Sequence, residues 1–150
     1  MNKRVIFSDK SDSLLQSYFR DISKYKILDN EEINKLIVEA QNGDEKAREK
    51  VITSNLRFVV TIAKQFQNRG IPLMDLISSG LEGLCKSVNK FDPTRGVKFL
   101  NYSAWWIKQC IYTTIYLSFG FPFVVSILII LIHLLVKPLI FLRLVQLNVV

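Results

Sequence analysis

Residues 98–116 read KFLNYSAWWIKQCIYTTIY, and this stretch decides how the rest of the chain is to be understood. Wound as a helix at about 100° per residue, it lines up Leu100, Ala104, Ile107, Ile111 and Ile115 in one narrow stripe, which is a sufficient core face. The opposite side carries Tyr102, Trp105, Trp106, Gln109, Tyr112, Thr113 and Tyr116. A helix in a small bundle needs to bury only one face, so two tryptophans and several tyrosines stand where solvent is expected. One reading buries both faces and lets the aromatics fill a larger core. The sharper reading makes them a stacking platform for unpaired bases, with Gln109 among them to read a base edge. Lys86, Lys90, Arg95, Lys98 and Lys108 then lie close enough in sequence to meet phosphates. Stacking contributes on the order of 1–3 kcal/mol per base and works on any base, so such a helix suits an opened strand.

Upstream, the pattern stays helical. Asp29-Asn30-Glu31-Glu32 reads as a helix start, after which Ile33, Leu36, Ile37 and Ala40 recur at helical spacing until Asn42-Gly43. Asp44 can cap a further helix through Lys50, and Ile52, Leu56, Val59, Val60, Ala63 and Phe66 form a stripe predicted to run to Arg69-Gly70. Beyond Pro72 a helix over about residues 73–90 presents Met74, Leu76, Ile77, Leu81, Leu84 and Val88, while Gly80 and Gly83 allow a neighbouring backbone to come close. The loop Phe91-Asp92-Pro93-Thr94-Arg95-Gly96 breaks the pattern. Nothing in residues 1–116 alternates with period two over a useful length, so the expected fold class is all-α, a helical bundle.

Composition narrows the function. The chain has 150 residues, 20 Lys and Arg against 13 Asp and Glu, and a formal net charge of +7. Residues 1–116 hold all 13 acids and 18 of the 20 bases, and the remainder holds only Lys137 and Arg143. A charge-rich, mildly basic head suits a polyanionic partner without proving one. Cys85 and Cys110 lie 25 positions apart, without a CxxC pair, and His133 stands alone in apolar sequence, so no metal, redox or cofactor motif is expected. No carboxylate pair, nucleophile with base, or phosphate loop occurs at useful spacing, so the chain does not read as an enzyme. The start, MNKRVIFSDKSDS, does not have the form of a signal peptide.

The run AREKVITSNLRFVVTIAKQFQNRGIPLMDLISSGLEGLCKSVNKFDPTRGVKFLNYSAWWIKQCI resembles the second region of primary-type, or sigma-seventy family, sigma factors, over about residues 44–116. Ser17-Tyr18-Phe19-Arg20-Asp21-Ile22, followed by Leu28-Asp29-Asn30-Glu31-Glu32, is similar to the short region that precedes it in that family. The resemblance implies a subunit that binds core RNA polymerase and captures the non-template strand of the minus-ten promoter element as the duplex opens. Carried over by position, Tyr102 with Phe91, Arg95 and Phe99 would hold a flipped adenine, and Trp105 and Trp106 would form the wedge at the upstream edge of the bubble. Gln109 would read the first base pair of the element, with Lys98, Asn101, Lys108 and Tyr112 in the same DNA-binding set. Asn55 and Arg57, with Arg20, match residues near a second flipped base. Asp75, Leu76, Ser78, Ser79 and Leu84 correspond to the surface that docks on the coiled coil of the polymerase's largest subunit. Departures from the family pattern are Ser78, Ser79 and Leu81, where larger amide or acidic side chains are usual, Val97 for an aromatic, Asn101 for a threonine, and Tyr112 for a small hydroxyl residue.

The expected organisation is therefore an N-terminal segment over 1–28, a helical domain over 29–116 and a hydrophobic tail over 117–150. Leu117–Val136 carries no charge over 20 residues, long enough to cross a bilayer core of roughly 30 Å. Two readings of the tail compete: a membrane anchor, and out-of-frame translation of an A+T-rich gene. The second is favoured, because an anchor would bring Tyr112 and Tyr116 against lipid headgroups where DNA should lie. The expected location is cytoplasmic, and the alternatives to a sigma function are a membrane-tethered decoy of polymerase or promoter DNA, and a gene product without function.

Overall fold

Asp29 and Asp44 each open a helix in the computed structural model, which describes the backbone of residues 3–118 and the side chains of residues 13–118. The Asp29 carboxylate accepts a hydrogen bond from Glu32 N at 2.8 Å, starting α2 (Asn30–Gln41). Asp44 accepts from Lys46 N and Ala47 N at 2.8 and 3.1 Å, starting α3 (Glu45–Lys64). Each carboxylate satisfies amide donors that have no partner inside the helix and lies at the positive end of its dipole. Between the two helices Gly43 adopts φ +100°, a conformation open to glycine, and the chain turns there. The other helices are α1 (Lys3–Ser23), α4 (Leu73–Lys90) and α5 (Phe99–Ser118), with a single 3-10 turn at Pro93–Arg95. Among the described residues the architecture is all-helical, as the periodicity implied.

α3 is the hub, packing against α1, α2 and α4. Ile33, Ile37 and Ala40 of α2, Val51, Val59 and Ala63 of α3, and Leu76, Ile77, Leu84 and Val88 of α4 are buried together as the core. Full burial of each larger aliphatic side chain contributes about 1.5–3 kcal/mol, which is why helices with modest intrinsic stability hold their places. α4 and α5 meet at Gly83, where a Cβ would press into the Trp106 carbonyl and lie 2.7 Å from Ile107 Cα.

Two expectations need correction. α3 stops at Lys64 and does not run to Arg69-Gly70. Gln65 N, Phe66 N and Gln67 N bond back three residues instead of four, which tightens the chain into a turn, and Asn68 and Gly70 then take positive φ. Phe66 keeps its place in the core even so, at 4% exposure. The buried face of α5 is also rotated from the predicted stripe. Ile107, Ile111 and Ile115 are buried as expected, but Phe99, Ser103 and Cys110 are buried with them, whereas Leu100 and Ala104 are only half-buried. The backbone contact at Gly83 sets this rotation, because it holds the Trp106–Ile107 side of the helix against α4.

The chain divides into two units, Met1–Tyr112 and Thr113–Val150, and the core and site described here belong to the first. Among the described residues no helix is long and apolar enough to cross a membrane. The apolar stretch 117–136 lies, from residue 119 onward, outside the described residues.

Candidate nucleic-acid interface

The last turn of α4, the loop after it and the first turns of α5 bring five aromatic rings into one continuous cluster. Phe91 meets Phe99 edge-on at 5.2 Å between centroids and Tyr102 at 5.3 Å. Tyr102 lies 6.3 Å from Trp106, and Trp106 meets Trp105 at 5.0 Å and 85°. Such tilted and edge-to-face arrangements suit the ring quadrupoles. The rings differ in depth. Phe91 and Phe99 are 4% and 1% exposed, so both form the floor of the cluster. Tyr102, Trp105 and Trp106 are half-buried, between the solvent-facing platform and the filled core that were the two readings of this face.

A short loop shapes one side. The Asp92 carboxylate accepts from Thr94 N at 3.0 Å, from the Thr94 hydroxyl at 2.6 Å and from Arg95 Nε at 3.0 Å. The Thr94 hydroxyl and amide, with the Arg95 guanidinium, hold the carboxyl below the usual carboxylate range. Gly96 closes the turn at φ +69°. Arg95 is exposed but already paired with Asp92.

The cations fall into three groups. Lys98 and Lys108 are exposed. Lys90 places its ammonium 4.7 Å from the Trp106 ring centroid, a cation–π contact beside the cluster. Lys86 lies 2.6 Å from the Glu82 carboxylate, which raises the ammonium's pKa, and 3.8 Å from Cys110 Sγ on α5. Asn101 is exposed, and Gln109 and Tyr112 are half-buried further along α5. Tyr112 stacks edge-on with Phe66 at 5.0 Å, and the Arg69 guanidinium lies 5.3 Å from the Phe66 ring centroid.

The residues expected near a second base differ in their surroundings. A groove of about 260 Å³ between α1 and α3 is lined by Phe19, Ile22, Ser23, Arg57, Val60, Thr61 and Lys64, with the Lys64 ammonium 4.7 Å from the Phe19 ring centroid. Arg57 is part of it. Arg20 is exposed on α1 but is not among the lining residues. Asn55 is 4% exposed, and its amide donates to Val51 O at 2.7 Å and Ser54 Oγ at 3.1 Å within α3.

On α4, Leu76 and Leu84 are fully buried, so they secure the helix to the core and are not docking contacts themselves. Asp75, Ser78 and Glu82 face outward and Ser79 is half-buried. The Ser78 and Ser79 hydroxyls donate to the carbonyls of Met74 and Asp75, four residues back, at 2.9 and 2.8 Å. Sequence reading missed Gln41, whose side chain reaches the loop that begins the aromatic cluster, and the Phe66–Tyr112 contact; neither has a local periodic signal.

The comparisons with known proteins agree with this architecture. Residues 51–115 match the family model for sigma-70 region 2. The chain is 43% identical over 102 residues to the RNA polymerase sigma factor RpoS of Coxiella burnetii, covering 68% of this chain and 29% of that protein. It is 44% identical over 100 residues to SigA of Clostridium acetobutylicum, covering 67% and 26%, and 38% identical over 110 residues to SigA of Lactococcus lactis subsp. cremoris, covering 71% and 30%. The chain thus spans less than a third of the length of these curated relatives. With the motif run, the helical bundle and the aligned relatives in agreement, this chain carries a sigma-70 region 2 domain at residues 51–115.

Proposed function

We propose that the chain acts in transcription initiation as a sigma factor, binding core RNA polymerase and capturing the non-template strand of the minus-ten element as the duplex opens. The observation that carries the reading is the graded aromatic cluster: buried Phe91 and Phe99 beneath half-buried Tyr102, Trp105 and Trp106, with Lys98 and Lys108 exposed nearby. A flipped base stacks on Tyr102 above that apolar floor, and the two tryptophans take the place of the base pair lost at the upstream edge. Unstacking costs a few kcal/mol, least in T·A-rich sequence, and stacking on the protein returns about 1–3 kcal/mol per base. Lys98 and Lys108 meet phosphates, and Arg95 exchanges the Asp92 carboxylate for one. Gln109, beside the half-buried Tyr112, reads a base-pair edge at the upstream boundary.

Polymerase engages the outward face of α4 through Asp75, Ser78 and Ser79, with the coiled coil of the largest subunit as the partner. Because both serine hydroxyls are engaged within α4, Asp75 supplies most of the polar contact there. The groove at Phe19 and Arg57 receives a second unpaired base.

The test is binding of the full chain, with and without core RNA polymerase, to a single-stranded minus-ten oligonucleotide and to a scrambled control, in parallel with Trp106→Ala. Polymerase-dependent, sequence-selective binding that falls about tenfold or more in the variant is the expected result. Binding indifferent to sequence, to polymerase and to Trp106 rules the function out.

A further inference from the structure

The C-terminus of α4 is closed from outside by two side chains that are distant in sequence. Gln41, the last residue of α2, donates from Nε2 to the carbonyl oxygens of both Val88 and Phe91, each at 2.8 Å. The Tyr102 hydroxyl donates to the carbonyl of Lys90 at 3.1 Å. The final carbonyls of a helix have no partner within it, so these side chains satisfy acceptors that water would otherwise take. An amide NH2 has two N–H bonds, one for each acceptor, so Gln41 is chemically matched to the pair. Arg48 braces the same corner, with one terminal nitrogen 2.5 Å from Asn89 Oδ1 and the other 3.2 Å from Ala40 O.

Phe91 is the hinge of this arrangement. Its amide still donates to Ser87 O at 2.9 Å, but at φ −73° and ψ +138° its backbone then leaves the helix, so its carbonyl lies outside the ladder. Two further contacts hold it beyond that point: the Gln41 bond to its carbonyl, and packing of its ring against Phe99 and Tyr102. We propose that Gln41 is a positioning residue for the unpaired-base site, holding Phe91 and through it Tyr102 at the height at which a flipped base stacks, without itself touching DNA. The proposal rests on the strand-capture reading above. Gln41 stays on the surface of α2, so its replacement leaves the core intact.

The test uses the full chain in complex with core RNA polymerase. Two strands are titrated: the single-stranded minus-ten oligonucleotide, and the same strand with an abasic site in place of the flipped adenine. The readout is the ratio of the two affinities, which a general loss of stability or of docking does not change. Gln41→Met keeps a similar shape without an N–H donor, and is expected to cut the preference for the intact strand by about fivefold, the size of one to two exposed hydrogen bonds. Gln41→Lys keeps donors for the two carbonyls and is expected to retain the preference, since its added charge affects both strands alike. A preference unchanged in Gln41→Met, or lost equally in both variants, overturns the positioning role while leaving strand capture standing. A wild-type chain that does not distinguish the two strands overturns strand capture and this proposal with it.

Discussion

The Tyr102 hydroxyl donates a hydrogen bond to the carbonyl oxygen of Lys90 across 3.1 Å, tying the first turn of α5 to the last residue of α4. The ring of the same tyrosine spans Phe91 and Trp106, so its hydroxyl ties two helices while its ring joins the aromatic cluster. Substitution separates the two. Tyr102→Phe is expected to cost about 0.5–1 kcal/mol of stability, because the bond is solvent-exposed, and to leave strand affinity within about twofold. Tyr102→Ala is expected to lose about tenfold or more of strand affinity. Equilibrium denaturation and oligonucleotide titration measure the two effects, and equal affinities for the two variants contradict the stacking role.

Gly83→Ala tests the close approach of α4 and α5. The new methyl would meet the backbone at Trp106 and Ile107, which cannot step aside without moving the helix. Overpacking costs about 1–3 kcal/mol, more than the gain of up to ~1 kcal/mol from replacing a helical glycine. Gly80→Ala meets side-chain methyls, Val59 Cγ1 at 2.9 Å and Ile107 Cγ2 at 3.2 Å, and is expected to be the milder change. Thermal melts followed by circular dichroism rank them, and a Gly83→Ala midpoint at or above wild type contradicts the contact.

Asp92 gives the loop a dependence on acidity. Its carboxyl is held below the usual range by Thr94 and Arg95, so the folded state favours the ionised form. That contribution is present above the ordinary carboxylate pKa and is lost as pH falls through the lowered folded value. The stability difference between wild type and Asp92→Asn is therefore expected to be largest near neutrality and to narrow in acid. Melting midpoints of both proteins at a series of pH values decide it, and a gap that widens in acid contradicts the assignment.

Both thiols are pushed up by burial, the dominant cause for Cys85 and for Cys110. A raised folded pKa stabilises the fold below the unfolded thiol's pKa and loses that contribution as pH rises through the folded value, so alkaline conditions should loosen this region. Iodoacetamide is expected to modify Cys85, which is half-buried, before Cys110, at 8% exposure, and both much faster in denaturant. Mass spectrometry of timed aliquots reads the order, and rapid labelling of native Cys110 contradicts its burial.

Local chemistry in the sequence was enough for the helical class, for the caps at Asp29 and Asp44 and for the turn at Gly43, because each depends on residues within a few positions. The small side chain at Gly83 was legible as room for a neighbour, but that the neighbour is the backbone of Trp106 and Ile107 was not. The sigma-seventy motif run was legible for the same reason: its signal is a string of residue types at fixed spacing. Depth was not legible. Phe91, Phe99, Leu76 and Leu84 are residue types that serve equally well at a surface site or in a core, and only the rotation of α4 and α5 against their neighbours put them inside. The Gln41 bonds to Val88 and Phe91 join positions 47 and 50 residues apart, and no periodicity reports a contact that exists only after α2 has packed beside α4. Spacing along one helix states which residues share a face; which face is covered, and by what, is decided by the other helices.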